Sequence, residues 1–181
     1  LVVVIGLAVS LLLWLSDSVF QVLEPYLVIL NSLPKSALAP LLIVWLGANS
    51  RTIIVAGMSV AIFGTILNLY TGFTETSREK IRLIYTLHGT KKDALTKVVL
   101  PSTVPMIISI MKVNIGLCLV GVVIGEFIGA RNGLGYLIIY GSQVFQLDLV
   151  ILSILILCLM AMLLYGGVTV AEKLYHRRQH A

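Results

Sequence analysis

The sequence predicts an all-α protein, a polytopic bundle of membrane-spanning helices. Three observations carry that expectation. Mean hydropathy is +1.03, and 59% of the residues are hydrophobic. Only 12% are charged, where soluble globular chains hold about a quarter. The basic residues cluster beside apolar stretches instead of forming a face, so the net charge of +5 reads as membrane topology, with no nucleic-acid partner.

Leu1–Leu15 is uncharged but shorter than the roughly 20 residues a span needs. The chain starts at Leu, without the basic start of a signal peptide. The expectation is a fragment cut inside a transmembrane helix, so that the first span is incomplete. Ser16, Asp17 and Ser18 make a polar turn, and a mixed segment runs to Asn31 and Ser32. Leu38–Leu46, with its lead-in from Pro34, is expected to form a second span and Thr52–Tyr70 a third. Val104–Ile128 follows as a fourth. Leu149–Val170 is the fifth, with Asp148 as its N-cap. The expectation is about five spans in a single domain over residues 1–181.

Between the third and fourth spans lies a polar, basic segment, Gly72–Pro101. It carries Arg78, Lys80, Arg82, Lys91, Lys92 and Lys97. Thr76-x-x-Glu79 and Thr90-x-x-Asp93 have the spacing of capping boxes, in which two orphan N–H groups are satisfied reciprocally. Gly89 between them is the expected left-handed helix stop. Pro101 is expected to close the second helix, because a residue before proline is pushed away from αR. The segment therefore reads as an ordered helix–break–helix, which suits a soluble docking partner. The tail carries Lys173, Arg177 and Arg178. Two spans separate tail and segment, so both are expected on the same face, cytoplasmic by the positive-inside rule.

Motifs for chemistry are wanting. No phosphate loop, no His-Glu-x-x-His and no Ser/His/Asp set occurs, so no catalytic residue, cofactor or metal is expected. Cys118 and Cys158 sit in apolar runs and read as small hydrophobes. His88, His176 and His180 lie in polar surroundings and read as solvated or partner-facing. In the fourth span Gly121, Gly125 and Gly129 recur every fourth residue, a pattern that lets helix backbones approach. Packing within one subunit and packing across a dimer are both open. Glu126 ends this span. It is either functional or an interfacial acid paired with Arg131 or a backbone N–H. Lys112 either snorkels to the interface or lines a polar pathway with Asn114.

Several stretches resemble the permease subunits of ABC importers. Gly89 followed by Val98-Val99-Leu100-Pro101-Ser102-x-x-Pro105 is similar to that family's cytoplasmic signature. Pro34-Lys35-x-x-x-x-Pro40-Leu41, Trp45-x-Gly47, Asn68-x-x-x-Gly72 and Glu126 with Gly133-Leu134-Gly135-Tyr136 resemble the branch for sulfonates, nitrate, taurine and related solutes. Two positions depart from the pattern. The family's glycine falls on His88, and its acid-Ala-Ala run falls on Arg82-Leu83-Ile84.

The resemblance implies ATP-driven import of a small solute, in which this chain forms half the pathway. A separate cytoplasmic ATPase would hydrolyse ATP, a second permease copy would complete the pathway, and an extracytoplasmic binding protein would deliver the solute. The ATPase would dock on Arg82, Tyr85, Leu87, His88, Gly89, Thr90, Lys91, Lys92, Ala94 and Leu95. Tyr85, Leu87, Ala94 and Leu95 would supply the apolar surface, and Lys91 and Lys92 the charged rim. An ion-gradient-driven transporter and a non-transporting membrane scaffold are the alternatives.

Overall fold

The computed structural model describes residues 1–179, with side chains through Lys173. The chain is helical, and no strand occurs among the described residues. In order the helices are α1 (Val2–Leu15), α2 (Asp17–Ser32), α3 (Lys35–Leu46), α4 (Ser50–Thr74), α5 (Arg78–Thr86) and α6 (Lys91–Ala94). A wide π-helical turn, Leu95–Val99, leads into α7 (Leu100–Gly129), followed by α8 (Leu134–Gln143) and α9 (Leu147–Gln179).

The all-α polytopic expectation holds, but among the described residues fewer than five runs reach spanning length. Three of the described runs are long and apolar enough to cross a membrane: Ser50–Thr74, Lys91–Gly129 and Leu147–Lys173. The expected second span is corrected. Residues 38–46 belong to α3, which has only 12 residues, and α3 reaches spanning length only together with α2, across a 93° bend. Pro34 causes the break, since it disfavours a helical Leu33 and sits itself at φ −65° and ψ 104°. α1, at 14 residues, is shorter than a span. α9 begins at Leu147, which leaves Asp148 in the first turn instead of at the cap.

The chain groups into two compact units, one of Leu1–Ser32 with Ile62–Met111, the other of Leu33–Ala61 with Lys112 onward. In the first, Trp14, Leu69, Phe73, Leu95, Val99 and Ile110 form the core. Leu69, Phe73 and Val99 have no exposed surface. Phe20 of α2 stacks on Tyr70 of α4, ring centroids 3.4 Å apart. Gly6 lets α1 close on α4, since a β-carbon there would stand 2.7 Å from Thr65 Cγ2.

In the second unit, α7 lies on α4 and α3 through its glycines. A β-carbon at Gly121 would meet Gly57 Cα at 2.6 Å, and one at Gly125 would meet Ile53 Cα at 3.3 Å. At Gly129 the obstacle is Ile43 Cδ1, at 2.6 Å. The glycine stripe is thus seated on helices of its own chain, with backbones close enough for dispersion to act over their length. α8 and α9 form a hairpin in which Gly141 of α8 meets α9, a β-carbon there lying 3.0 Å from Val150 Cγ2.

Candidate functional site

The polar segment folds into a corner built by two terminal motifs. α5 ends in a Schellman motif. The Gly89 N–H donates to the Ile84 carbonyl at 2.9 Å, and the His88 N–H donates to the Tyr85 carbonyl at 3.0 Å. The left-handed residue is His88, at φ 60°, which corrects the expectation for Gly89. It falls where the family pattern places its glycine. Gly89 is required for a different reason: a β-carbon there would lie 2.8 Å from the Ile84 carbonyl oxygen.

α6 starts with the expected capping box. Asp93 N–H donates to Thr90 Oγ1 at 3.3 Å, and Thr90 N–H donates to Asp93 Oδ2 at 2.9 Å. The Thr90 hydroxyl also donates to that carboxylate at 2.6 Å. Hydrogen bonds from the Thr90 side chain and backbone, then from Lys97, hold the Asp93 carboxyl well below the usual carboxylate range.

The first capping box does not form. Ser77 is the N-cap of α5, so Glu79 is one residue too early to close a box on it. The Thr76 hydroxyl is buried instead and donates to the Gly72 carbonyl at 3.3 Å.

Pro101 does not end a helix, which corrects the expectation that it closes the second helix of the segment. In a regular α-helix its ring would meet the carbonyl four residues back, and its missing N–H would leave an acceptor open. The π-helical turn takes up that misfit. Leu100 N–H bonds to the Leu95 carbonyl, five residues earlier. Ser102 and Thr103 hydroxyls donate to the Val99 carbonyl at 3.0 and 2.9 Å. α6, the wide turn and α7 therefore make one run of 39 residues, Lys91–Gly129.

The docking residues expected from sequence divide into two sets. Tyr85 and Leu87 are exposed, at 46% and 71%, as are Arg82, His88, Thr90 and Lys92. Ala94 and Leu95 are not available as surface. Ala94 is fully buried, and Leu95 packs in the core with Trp14 and Phe73. Lys91 is no free rim charge either. Its ammonium donates to the Leu15 carbonyl at 3.2 Å, approaches Asp17 at 4.0 Å and stands 5.3 Å above the Trp14 ring. Leu83, overlooked in the sequence, is 59% exposed one turn before Leu87. Its signal is the i, i+4 spacing of two leucines on a short polar helix.

In the fourth span, Lys112 pairs with Glu172 at 2.5 Å and stands 5.6 Å from the Tyr165 ring. Asn114 is buried. Glu126 Oε2 accepts the Gly135 N–H at 2.6 Å. Its carboxylate occupies the space a β-carbon at Gly133 would need, at 2.5 Å. Lys112 and Glu126 thus sit in separate polar contacts. No group of residues able to hold a metal occurs among the described residues. The side chains of His176, Arg177 and Arg178, with His180 and Ala181, lie outside the described residues.

Residues 2–179 match the family described as binding-protein-dependent transport system inner membrane component. The chain belongs to that family. Among the family's curated relatives, a probable ABC transporter permease protein of Haemophilus influenzae is 33% identical over 95% of this chain and 69% of its own. A formylaminopyrimidine transport permease of Halalkalibacterium halodurans is 31% identical over 74% of this chain and 54% of its own. The taurine transport system permease of Escherichia coli K12 is 25% identical over 94% and 62%. The chain thus spans about half to two thirds of the length of these permeases, and their names point to more than one solute.

Proposed function

We propose that this chain is the membrane subunit of an ATP-driven importer of a small solute, in the class that includes sulfonates, taurine and nitrate. In this reading it forms half the pathway with a second copy, receives solute from an extracytoplasmic binding protein and docks a cytoplasmic ATPase on the α5–α6 corner. The corner and the C-terminus face the cytoplasm, consistent with their basic residues.

One observation carries the reading. An ordered corner holds Leu83, Tyr85 and Leu87 out to solvent, flanked by Arg82 and Lys92, and runs without a break into a membrane span. Ordering each residue costs about 1–2 kcal/mol of backbone entropy. Covering an exposed leucine returns about 1.5–3 kcal/mol. An apolar face with a cationic rim suits a partner that is apolar at its centre and acidic at its edge. Because α6 continues into α7, closure of the ATPases would move the inner end of a span directly, biasing an inward–outward equilibrium.

The bent pair α2–α3 supports a second reading, because broken spans also occur in ion-coupled transporters. One experiment separates the two. The full-length protein, expressed with its neighbouring subunits and reconstituted in vesicles, is expected to co-purify with an ATPase and to import solute in a vanadate-sensitive manner. Uptake that follows an ion gradient and ignores vanadate would establish the alternative.

A further inference from the structure

Lys91 lies in the middle of the polar segment, yet its ammonium is turned inward onto a different part of the chain. It reaches the carbonyl of Leu15, seventy-six positions earlier in sequence, at 3.2 Å. Leu15 is the last residue of α1, and the last carbonyls of a helix have no intrahelical donor and carry its negative dipole end. Asp17, in the first turn of α2, is 4.0 Å away, and the Trp14 ring 5.3 Å away. A single cation therefore meets the end of one helix, the start of the next and an aromatic face.

An apolar seat backs the contact. Leu95 and Val99, in the wide turn just after α6, share a core with the same Trp14. The hinge between α1 and α2 at Ser16, extended at φ −137° and ψ 96°, is thus held from the α6 side by both a polar and an apolar grip.

We infer that Lys91 is a positioning residue that fastens the docking corner to the α1–α2 hinge. A displacement of the corner then moves that hinge as well as α7. This rests on the proposed ATPase-docking function. The Leu15 carbonyl is the main partner, because the Asp17 carboxylate is 75% exposed and at the outer limit of an ion pair. Lys91→Arg keeps a long cationic donor and can restore the contact. Lys91→Met keeps the stem and removes the donor.

The test uses the complete transporter with its ATPase, reconstituted in vesicles. Lys91→Met is expected to raise the ratio of ATP hydrolysed to solute imported at least tenfold, with Lys91→Arg within threefold of the parent. Asp17→Asn is expected to stay within twofold. A purely structural lysine would lower ATPase activity and uptake together and leave the ratio unchanged, which would overturn the inference. A second measurement keeps Lys91 native. A cysteine introduced as Ser16→Cys is labelled by a maleimide with and without ATP and vanadate, against the background of the parent. At least a threefold change in labelling rate is expected, and a rate indifferent to nucleotide would refute the hinge coupling even if Lys91→Met failed to accumulate. Absence of any co-purifying ATPase would instead sink the proposed function itself.

Discussion

Lys112 of α7 and Glu172 of α9, sixty residues apart, meet as an ion pair with both side chains about four-fifths buried. Tyr165, two turns before Glu172, places its ring beside the same ammonium. Neither the snorkelling nor the pathway reading of Lys112 anticipates a pair that ties two spans together. In an apolar setting its value lies less in net attraction than in the penalty for separating the charges.

Removal of one partner is therefore expected to hurt more than removal of both. Lys112→Met should lower the unfolding midpoint of the purified full-length protein, because Glu172 is left without its cation. The double change Lys112→Met with Glu172→Met should recover at least half of that loss. Thermal unfolding in detergent measures both. A loss in the double variant equal to the sum of the losses from Lys112→Met and Glu172→Met alone would show that the pair is not coupled.

The α5–α6 corner gives opposite expectations at neighbouring residues. His88 stands at φ 60°, where a residue with a β-carbon is strained by roughly 1 kcal/mol. His88→Gly should raise stability by about that amount. Gly89→Val should lower it by more, since a β-carbon would press on the Ile84 carbonyl at 2.8 Å. If His88→Gly destabilised the protein, the histidine side chain would be holding a contact of its own.

Glu126 provides a third test. Its carboxylate holds the Gly135 N–H at 2.6 Å, and a glutamine carbonyl can accept the same bond. Glu126→Gln is expected to leave uptake within about twofold, whereas Glu126→Leu should cost about 1–2 kcal/mol by orphaning that N–H. A large loss of uptake in a stable Glu126→Gln protein would show that the charge itself serves transport.

These residues also show what could be read from sequence. The Thr90–Asp93 capping box and the apolar runs of α4, α7 and α9 were legible because their causes lie within a few residues. The exchange of roles between His88 and Gly89 was not, since a Schellman motif places its left-handed residue by where α5 ends, and that end is settled by packing. Pro101 misled for a related reason: a wide turn absorbs the proline, and nothing in the local pattern announces one. Nothing local to Leu95 and Lys91 marks them as inward-facing, because their partners, Trp14 and Leu15, are 81 and 76 positions away. Contacts at that range carry no periodic signature.

The burial of Leu95 sharpens the test of the docking face. Leu87 is 71% exposed and Leu95 only 8%, so the same chemical change should have different consequences at the two sites. Leu95→Asp places a charge in the core beside Phe73 and Val99, and should cost upwards of about 3 kcal/mol and lower the yield of folded protein. Leu87→Asp should alter stability by less than about 0.5 kcal/mol, because the residue is already in water. If the corner is the dock, Leu87→Asp and Leu83→Asp should each reduce ATPase co-purification at least tenfold in membranes that contain normal amounts of the permease. Adding an arginine to the facing surface of the ATPase should restore part of that binding. Full ATPase retention in both leucine variants would place the dock elsewhere on the chain.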